Sequence, residues 1–242
     1  MKIKFRFILV IKTAIRVIRV LCTLLRHPHS IRFAHPWIVS LLPGHNALSD
    51  QVPWVTFEAR SWLESYLKPN MFVFEYGSGG STIFVSKRVN KLISIEHDKV
   101  WHSKVSRVLL KEGISNCECT LCEPEKNISG EMVNYGLKSC TSEIKGYEGM
   151  SFEKYVKIID KYPDESFDLV VIDGMARASC ISHAMGKIRP GGYLLLDNSD
   201  TQRYDSAMSL LAGYKRTDFF GVGPCLTYLW QTSVWEKKSV GE

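Results

Sequence analysis

The chain predicts an α/β fold: a doubly wound, mainly parallel seven-stranded sheet with a C-terminal antiparallel strand pair, preceded by an N-terminal amphipathic helix. Three observations carry this. From residue 71 onward, short apolar runs alternate with helical periodicities, the pattern of a parallel sheet covered on both faces. A Gly-rich turn, Gly77-Ser78-Gly79-Gly80, follows the first apolar run directly. The last two runs, 214–220 and 226–235, flank Gly221-Val222-Gly223-Pro224 and read as an antiparallel pair.

With 242 residues there is room for one sizeable core, and the chain divides at residue 53. Residues 1–53 read as a basic helix and a connecting segment, and residues 54–242 as the body. Within the apolar stretch 5–25, Lys12, Arg16 and Arg19 would cost about 8–10 kcal/mol in a bilayer. The apolar side chains return only about 4–8 kcal/mol, so a membrane span is not expected. On a helix, Lys12, Arg16, Arg19, Thr23 and Arg26 form one stripe, opposite Val10, Ala14, Val17, Leu21 and Leu24. Such a helix suits an anionic membrane surface; a mitochondrial-type presequence and a helix packed on the body are the alternatives.

The pairs His27-Pro28, His35-Pro36 and Pro43-Gly44, with Pro53, punctuate the connecting segment. Thr56 caps a helix reaching Leu67, with Glu58 in its first turn. Strands follow at Met71–Tyr76, Lys91–Glu96 and Cys117–Cys122, with helices at Ile83–Arg88 and Val100–Glu112 between them. Residues 125–150 are a long polar stretch, a candidate lid. Phe167–Asp173 is the fourth strand, 176–188 a helix, and Tyr193–Asp197 the fifth strand after an Arg-Pro-Gly-Gly turn. Arg203–Ala212 is a last helix, closed by Gly213.

Hydrophobic residues at 45% and charged residues at 23% exclude a disordered chain. The net charge of +6 is unevenly spread: eight Lys and Arg precede residue 50, and the first acid is Asp50. The remainder holds 23 basic against 25 acidic residues, so the body is nearly neutral and no nucleic-acid partner is expected. Seven scattered cysteines do not suggest a disulfide framework. An intracellular, cytoplasmic location is expected, peripheral at a membrane through residues 1–26, with mitochondria as the alternative.

The chemistry centres on Glu75, two residues before Gly77. A nicotinamide-binding fingerprint wants its third Gly at position 82, where this chain has Thr. A carboxylate facing the turn instead suits a ligand carrying positive charge, such as an ammonium. Glu96 ends the second strand about 20 residues on, where a ribose diol is held in such folds. With these acids, Phe167-Asp168-Leu169-Val170-Val171-Ile172-Asp173-Gly174 and Pro190-Gly191-Gly192, residues 54–236 resemble the class I S-adenosylmethionine-dependent methyltransferases. The resemblance implies that Glu75 meets the methionine ammonium, directly or through water. It also implies that Gly77, Ser78 and Gly79 pass the cofactor closely, that Glu96 holds the ribose, that Glu123 flanks the adenine, and that Asp173 lies beside the cofactor.

Asp173 and the pair Asp197-Asn198 end neighbouring strands, and three oxygen ligands there suit a hard cation such as Mg²⁺. This resembles the metal-dependent catechol and caffeoyl-coenzyme A O-methyltransferases, and would make Asp173, Arg177 and Asp197 catalytic. Their catalytic Lys is not matched; Arg177 is the nearest cation and cannot act as a base, though it can clamp an anionic acceptor. Asp197-Asn198 capping the following turn is the alternative. His97, His102 and His183 are candidate bases, set against structural roles, and Tyr147, Phe152 and Tyr155 either line an acceptor pocket or pack. Cys117 and Cys119 share a strand face and read as packing rather than as zinc ligands. The expected function is S-adenosylmethionine-dependent O-methylation of a small molecule, lipid or glycan by in-line transfer. The alternatives are an aminopropyl transferase using decarboxylated cofactor, and a catalytically inactive, membrane-attached binding module.

Overall fold

Alternating burial along four apolar strands builds the body. In the first strand, β1 (Phe72–Tyr76), Phe74 and Tyr76 enter one core layer and Val73 the other. The same split recurs in β2 (Lys91–Glu96), with Ile93 and Ile95 against Leu92. It recurs in β4 (Phe167–Ile172), with Val170 and Ile172 against Leu169 and Val171. Strands buried on both faces in this way require helices above and below, which is why the apolar runs are nearly continuous.

The fold is known from a computed structural model that describes residues 15, 17, 18, 21, 22, 28–126, 139–141 and 146–239. The remaining strands are β3 (Cys117–Leu121), β5 (Ile188–Asp197), β6 (Lys215–Gly221) and β7 (Trp230–Glu236). The sheet order is β3-β2-β1-β4-β5-β7-β6. Strands β1 to β5 pair in parallel, and β7 runs antiparallel to both β5 and β6. The expected seven strands and their terminal antiparallel pair are therefore present. Winding reverses between β1 and β4, and a crevice opens there at the strands' carboxyl ends.

One face is covered by α2 (Phe57–Tyr66) and α3 (Gly80–Ser86), the other by α5 (Glu153–Lys157), α6 (Arg177–Ala184) and α7 (Asp205–Met208). Helix α4 (Lys99–Lys111) packs Val105 and Leu109 on Leu48 and Ile83. Thr56 caps α2 as expected, its hydroxyl accepting from the Ala59 N–H.

The connecting segment proves to be packed structure. Helix α1 (Ala34–Ser40) buries Trp37 fully, in a cluster with Phe57 and Val222. Pro36 is compatible with it because the first turn needs no intrahelical N–H donor. Val17 joins the same cluster, while Ile15 and Ile18 are exposed. The expected basic stripe of Lys12, Arg16, Arg19, Thr23 and Arg26 lies outside the described residues. No helix among the described residues is long and apolar enough to cross a membrane.

Three further expectations change. The Arg189-Pro190-Gly191-Gly192 turn is absorbed into β5, with a register shift opposite Phe167 and Leu169. Gly191 has a positive φ of 74° there, and its N–H reaches the Lys237 carbonyl at 2.7 Å, extending the pairing with the chain after β7. The helix expected at 203–212 is a succession of single turns, Gln202–Tyr204, α7 and Ser209–Leu211. Within it the Ser209 hydroxyl donates to the Ser206 carbonyl, a side-chain bond that competes with regular helix. In the candidate lid, Glu125–Lys126 pairs antiparallel with Met150–Ser151, while residues 127–138 and 142–145 lie outside the described set.

Gly77 is the tightest point of the crevice. Its φ is +94°, and a Cβ would meet the Gly174 backbone at 2.7 Å. Because both the conformation and the contact exclude a side chain, Gly77→Ala should cost about 2–4 kcal/mol, read as a lower urea midpoint at unchanged slope.

Candidate functional site

The crevice holds a cavity of about 530 Å³. Its floor is the turn Gly77–Ser81, one wall is Glu96 to Trp101, and the opposite wall is Asp173 to Arg177 with Asp197 and Asn198. Ala47, Trp54, Leu226, Tyr228 and Trp230 close the remaining side.

Glu75 sits behind the floor, 0% exposed. Its Oε2 accepts from the hydroxyls of Thr82 and Ser94, both at 2.6 Å. The Thr82 oxygen in turn accepts the Gly79 N–H at 2.8 Å, so the acid fixes the turn. Oε1 is left without a well-formed hydrogen bond. Burial dominates and raises the Glu75 pKa, against the hydroxyls of Ser81, Ser94 and Thr82, which favour the charged form. Ser81 lines the cavity and Glu75 does not, so the expected contact to an ammonium must pass through the Ser81 hydroxyl or a water. Gly79 is the open part of the turn: a Cβ there would approach only Ser81 Oγ, at 4.0 Å.

Glu96 lines the cavity with its carboxylate already bonded. Oε1 accepts the N–H groups of His97 and Asp98 at 2.8 Å, and Oε2 accepts the Ser78 N–H and hydroxyl at 3.0 and 2.9 Å. Burial works to raise its pKa, but His97, the Asp98 N–H and Ser78 together hold it below the ordinary carboxylate value. Asp98 caps α4 through the Trp101 N–H at 2.7 Å, and the Trp101 indole donates to the Ser78 carbonyl at 2.7 Å. Glu123 is exposed and does not line the cavity, which corrects its expected place on the cavity wall; His97, Asp98 and Trp101 line it there.

The expected metal ligands are brought together but already bonded. The Arg177 guanidinium lies among them with all five N–H groups engaged. Nε donates to the Gly174 carbonyl at 3.0 Å, and Nη1 to the Asp197 carbonyl and to Asn198 Oδ1. Nη2 donates to the Asp173 carbonyl at 3.0 Å and to its Oδ1 at 2.9 Å. Asp197 turns its carboxylate into the sheet, where Oδ1 accepts from Trp230 Nε1 at 2.9 Å and Thr232 Oγ1 at 2.6 Å. This donor set does not fit a divalent cation: a fixed positive charge bonds two of the ligands, and the third has Oδ1 taken by Trp230 and Thr232. The proposed Mg²⁺ site at Asp173, Asp197 and Asn198 is corrected accordingly. The anion clamp expected at Arg177 falls as well, since every N–H of its guanidinium is engaged by protein oxygens, and Asp197 has Oδ1 committed to Trp230 and Thr232.

Asp173 keeps a side-chain exposure of 23% on the cavity wall. Its pKa is pushed up to about 8, first by burial and further by Asp197 and Glu75, against the Arg177 charge. It is the carboxyl group best placed to take a proton.

Among the histidines, His97 lines the cavity with Nδ1 2.9 Å from Glu96 Oε1. His102 bonds the Cys119 carbonyl, and His183 pairs with Asp160 beside a separate cavity. Phe152 and Tyr155 are core residues, with Tyr147 packed against them. Cys117 and Cys119 pack beside the Val105 cluster. Sequence reasoning missed Trp54, Trp101, Tyr228 and Trp230. Trp101 was legible as a Trp three residues after an Asp helix cap; the other three are joined only by tertiary structure.

No protein-family model matches the chain, and no curated protein matches it in sequence. Solved structures share its fold. An rRNA methylase from Streptococcus thermophilus superposes with a TM-score of 0.51 at 14% identity, over 75% of this chain and 95% of that one. A SAM-dependent O-methyltransferase from Thermotoga maritima gives 0.52 at 10% identity, over 77% and 66%. A Streptococcus mutans protein assigned as a methyltransferase, in complex with SAH, gives 0.50 at 12% identity, over 74% and 96%. The chain therefore has the class I S-adenosylmethionine-dependent methyltransferase fold. The expectation of no nucleic-acid partner is overturned: the same fold carries an rRNA methylase, so a nearly neutral body does not exclude such a substrate.

The Glu75 geometry has a consequence for stability. Its folded pKa lies above the ordinary 4.5, so the fold favours the neutral acid, and stability is lost as pH rises through the folded pKa. Urea midpoints for Glu75→Gln should gain on wild type as pH rises from about 5 to about 8.

Proposed function

We propose that this chain is an S-adenosylmethionine-dependent methyltransferase that methylates an acceptor oxygen. The observation that carries the reading is the sealed Glu75, its Oε1 without a well-formed bond, behind a glycine turn that is open only at Gly79. A lone buried carboxylate is costly, and a ligand cation next to Ser81 would stabilise its charged form. Glu96 then holds ribose hydroxyls, the Ser78 hydroxyl being the donor that a sugar hydroxyl replaces. The bound cofactor supplies an electrophilic methyl group on a sulfonium. Asp173, on the cavity wall, removes the acceptor hydroxyl proton, with Arg177 holding its Oδ1.

Calorimetry should show S-adenosylmethionine binding that Glu75→Gln weakens about tenfold or more. Absence of binding to well-folded protein would overturn the proposal, and a polyamine product carrying an aminopropyl mass would replace it with the aminopropyl-transferase reading. Since the base must be deprotonated, kcat/KM should rise with pH and level off above about 8. Asp173→Asn should remove that limb and lower the plateau about 10²- to 10⁴-fold; an unchanged pH profile would exclude Asp173 as the base.

A further inference from the structure

The side of the cavity opposite the glycine turn carries features that the cofactor reading leaves unused. Trp54 is 43% exposed and Tyr228 51%, yet both line the cavity, which places them at its mouth. Exposed aromatic rings of this size beside a cavity are surfaces for stacking. They are also held rigidly. The 47–52 backbone lies against Gly80, where a Cβ would meet the Ala47 carbonyl at 2.0 Å and that of Val52 at 2.3 Å. The turn bearing Tyr228 is tied down by Trp37 Nε1 donating to the Leu226 carbonyl at 2.7 Å, and by the Cys225 N–H donating to Ser40 Oγ at 3.0 Å. Gly223 lets the Trp230 ring and the Val55 carbonyl close in, and the Tyr228 ring lies 5.6 Å from that of Trp230.

Charge selects among occupants. Four acidic residues line the cavity, Glu96, Asp98, Asp173 and Asp197, against one arginine among the described lining residues. That arginine, Arg177, has every N–H engaged by protein oxygens. A phosphate or carboxylate entering here would meet negative field and no free donor cation, whereas an uncharged ring meets two aromatic faces. A sugar would bring several hydroxyls to a mouth made mainly of Trp54, Leu226 and Tyr228.

We propose that the mouth formed by Trp54 and Tyr228 is the acceptor subsite, and that it takes an uncharged planar ring, aromatic or heteroaromatic, stacked with its nucleophile directed toward Asp173. This rests on the methyltransferase reading for the direction of the nucleophile, but the stacking itself does not. The ring can come from a free small molecule or from an unpaired base of an RNA, whose phosphates would stay outside the cavity.

Ligand-observed NMR and tryptophan quenching on the full chain, with and without SAH, test it with catechol, uridine, uridine 5′-monophosphate, methyl glucoside and a short oligouridine. Catechol and uridine should bind, and the monophosphate should bind about tenfold more weakly than uridine. Trp54→Ala and Tyr228→Ala should each weaken ring binding at least about fivefold, and Trp54→Phe and Tyr228→Phe should restore most of it. Tighter, salt-dependent binding of the oligouridine assigns the ring to RNA; binding no tighter than uridine assigns it to a free molecule. Preference for methyl glucoside, equal binding of the monophosphate, or alanine variants that bind rings as wild type does would each overturn the proposal. SAH binding is read separately, so its failure removes the methyltransferase reading while leaving the ring subsite to stand or fall on the Trp54 and Tyr228 variants.

Discussion

A carboxylate sealed inside the sheet sets the terms for the rest of the molecule. Taking Glu75 out of water costs several kcal/mol, and hydrogen bonds to a charged group return about 1.5–3 kcal/mol each. The two hydroxyls on Oε2, from Thr82 and Ser94, offset part of that cost, and burial still keeps the pKa raised. Each bond also does geometric work. Ser94 ties the second strand to the first at the register Glu75↔Ser94. Thr82 holds the Gly79 N–H, so the turn adopts its shape because the acid lies behind it. A carboxylate whose burial is only partly offset, with one oxygen poorly bonded, responds strongly to a positive charge arriving nearby.

A second internal charge organises the opposite wall. The residue pattern Asp173, Asp197 and Asn198 satisfies the composition of a hard-cation site, but the cation present is the protein's own. Arg177 stands one helical turn after Asp173 and reaches back to it, the i,i+4 relation that a helix start makes available. A guanidinium also offers five directed donors where a metal ion offers an undirected charge. It therefore joins the carbonyls of Asp173, Gly174 and Asp197 as well as two side chains, and fixes the ends of two strands together. Asp173 is left with a neighbour that orients it and a buried setting that still raises its pKa to about 8.

Much of this was legible in the sequence, for identifiable reasons. Strands such as Lys91–Glu96 were read to the residue because apolar runs bounded by turn signals leave little choice. Glu75 and Glu96 stood out because an acid at the end of an apolar strand has no packing rationale. The segment 28–53 misled because proline and histidine punctuate loops and first turns alike, and only burial of Trp37 separates the two. The metal ligands misled differently. Residue types and strand ends predicted proximity correctly, but the direction of the Asp197 carboxylate depends on Trp230 and Thr232, more than 30 residues away in sequence. Local spacing carries no information about such a partner.

That partnership explains why Asp197 belongs where it is. Trp230 sits at the first position of the last strand, next to the exposed ring of Tyr228, and its indole N–H is buried. An unsatisfied buried donor costs about 1–3 kcal/mol, and the Thr232 hydroxyl would add a second. One carboxylate at the end of β5 satisfies both, and Thr232 passes the connection on by accepting the Thr56 N–H at the start of α2. The chain segment immediately before Thr56 carries Trp54. The acid that composition assigns to catalysis thus positions an aromatic wall, coupling the strand ends on the Arg177 side of the cavity to the rings at its mouth. The Arg177 cluster and the aromatic rings share a wall because the antiparallel pair returns β7 to the edge where β5 ends.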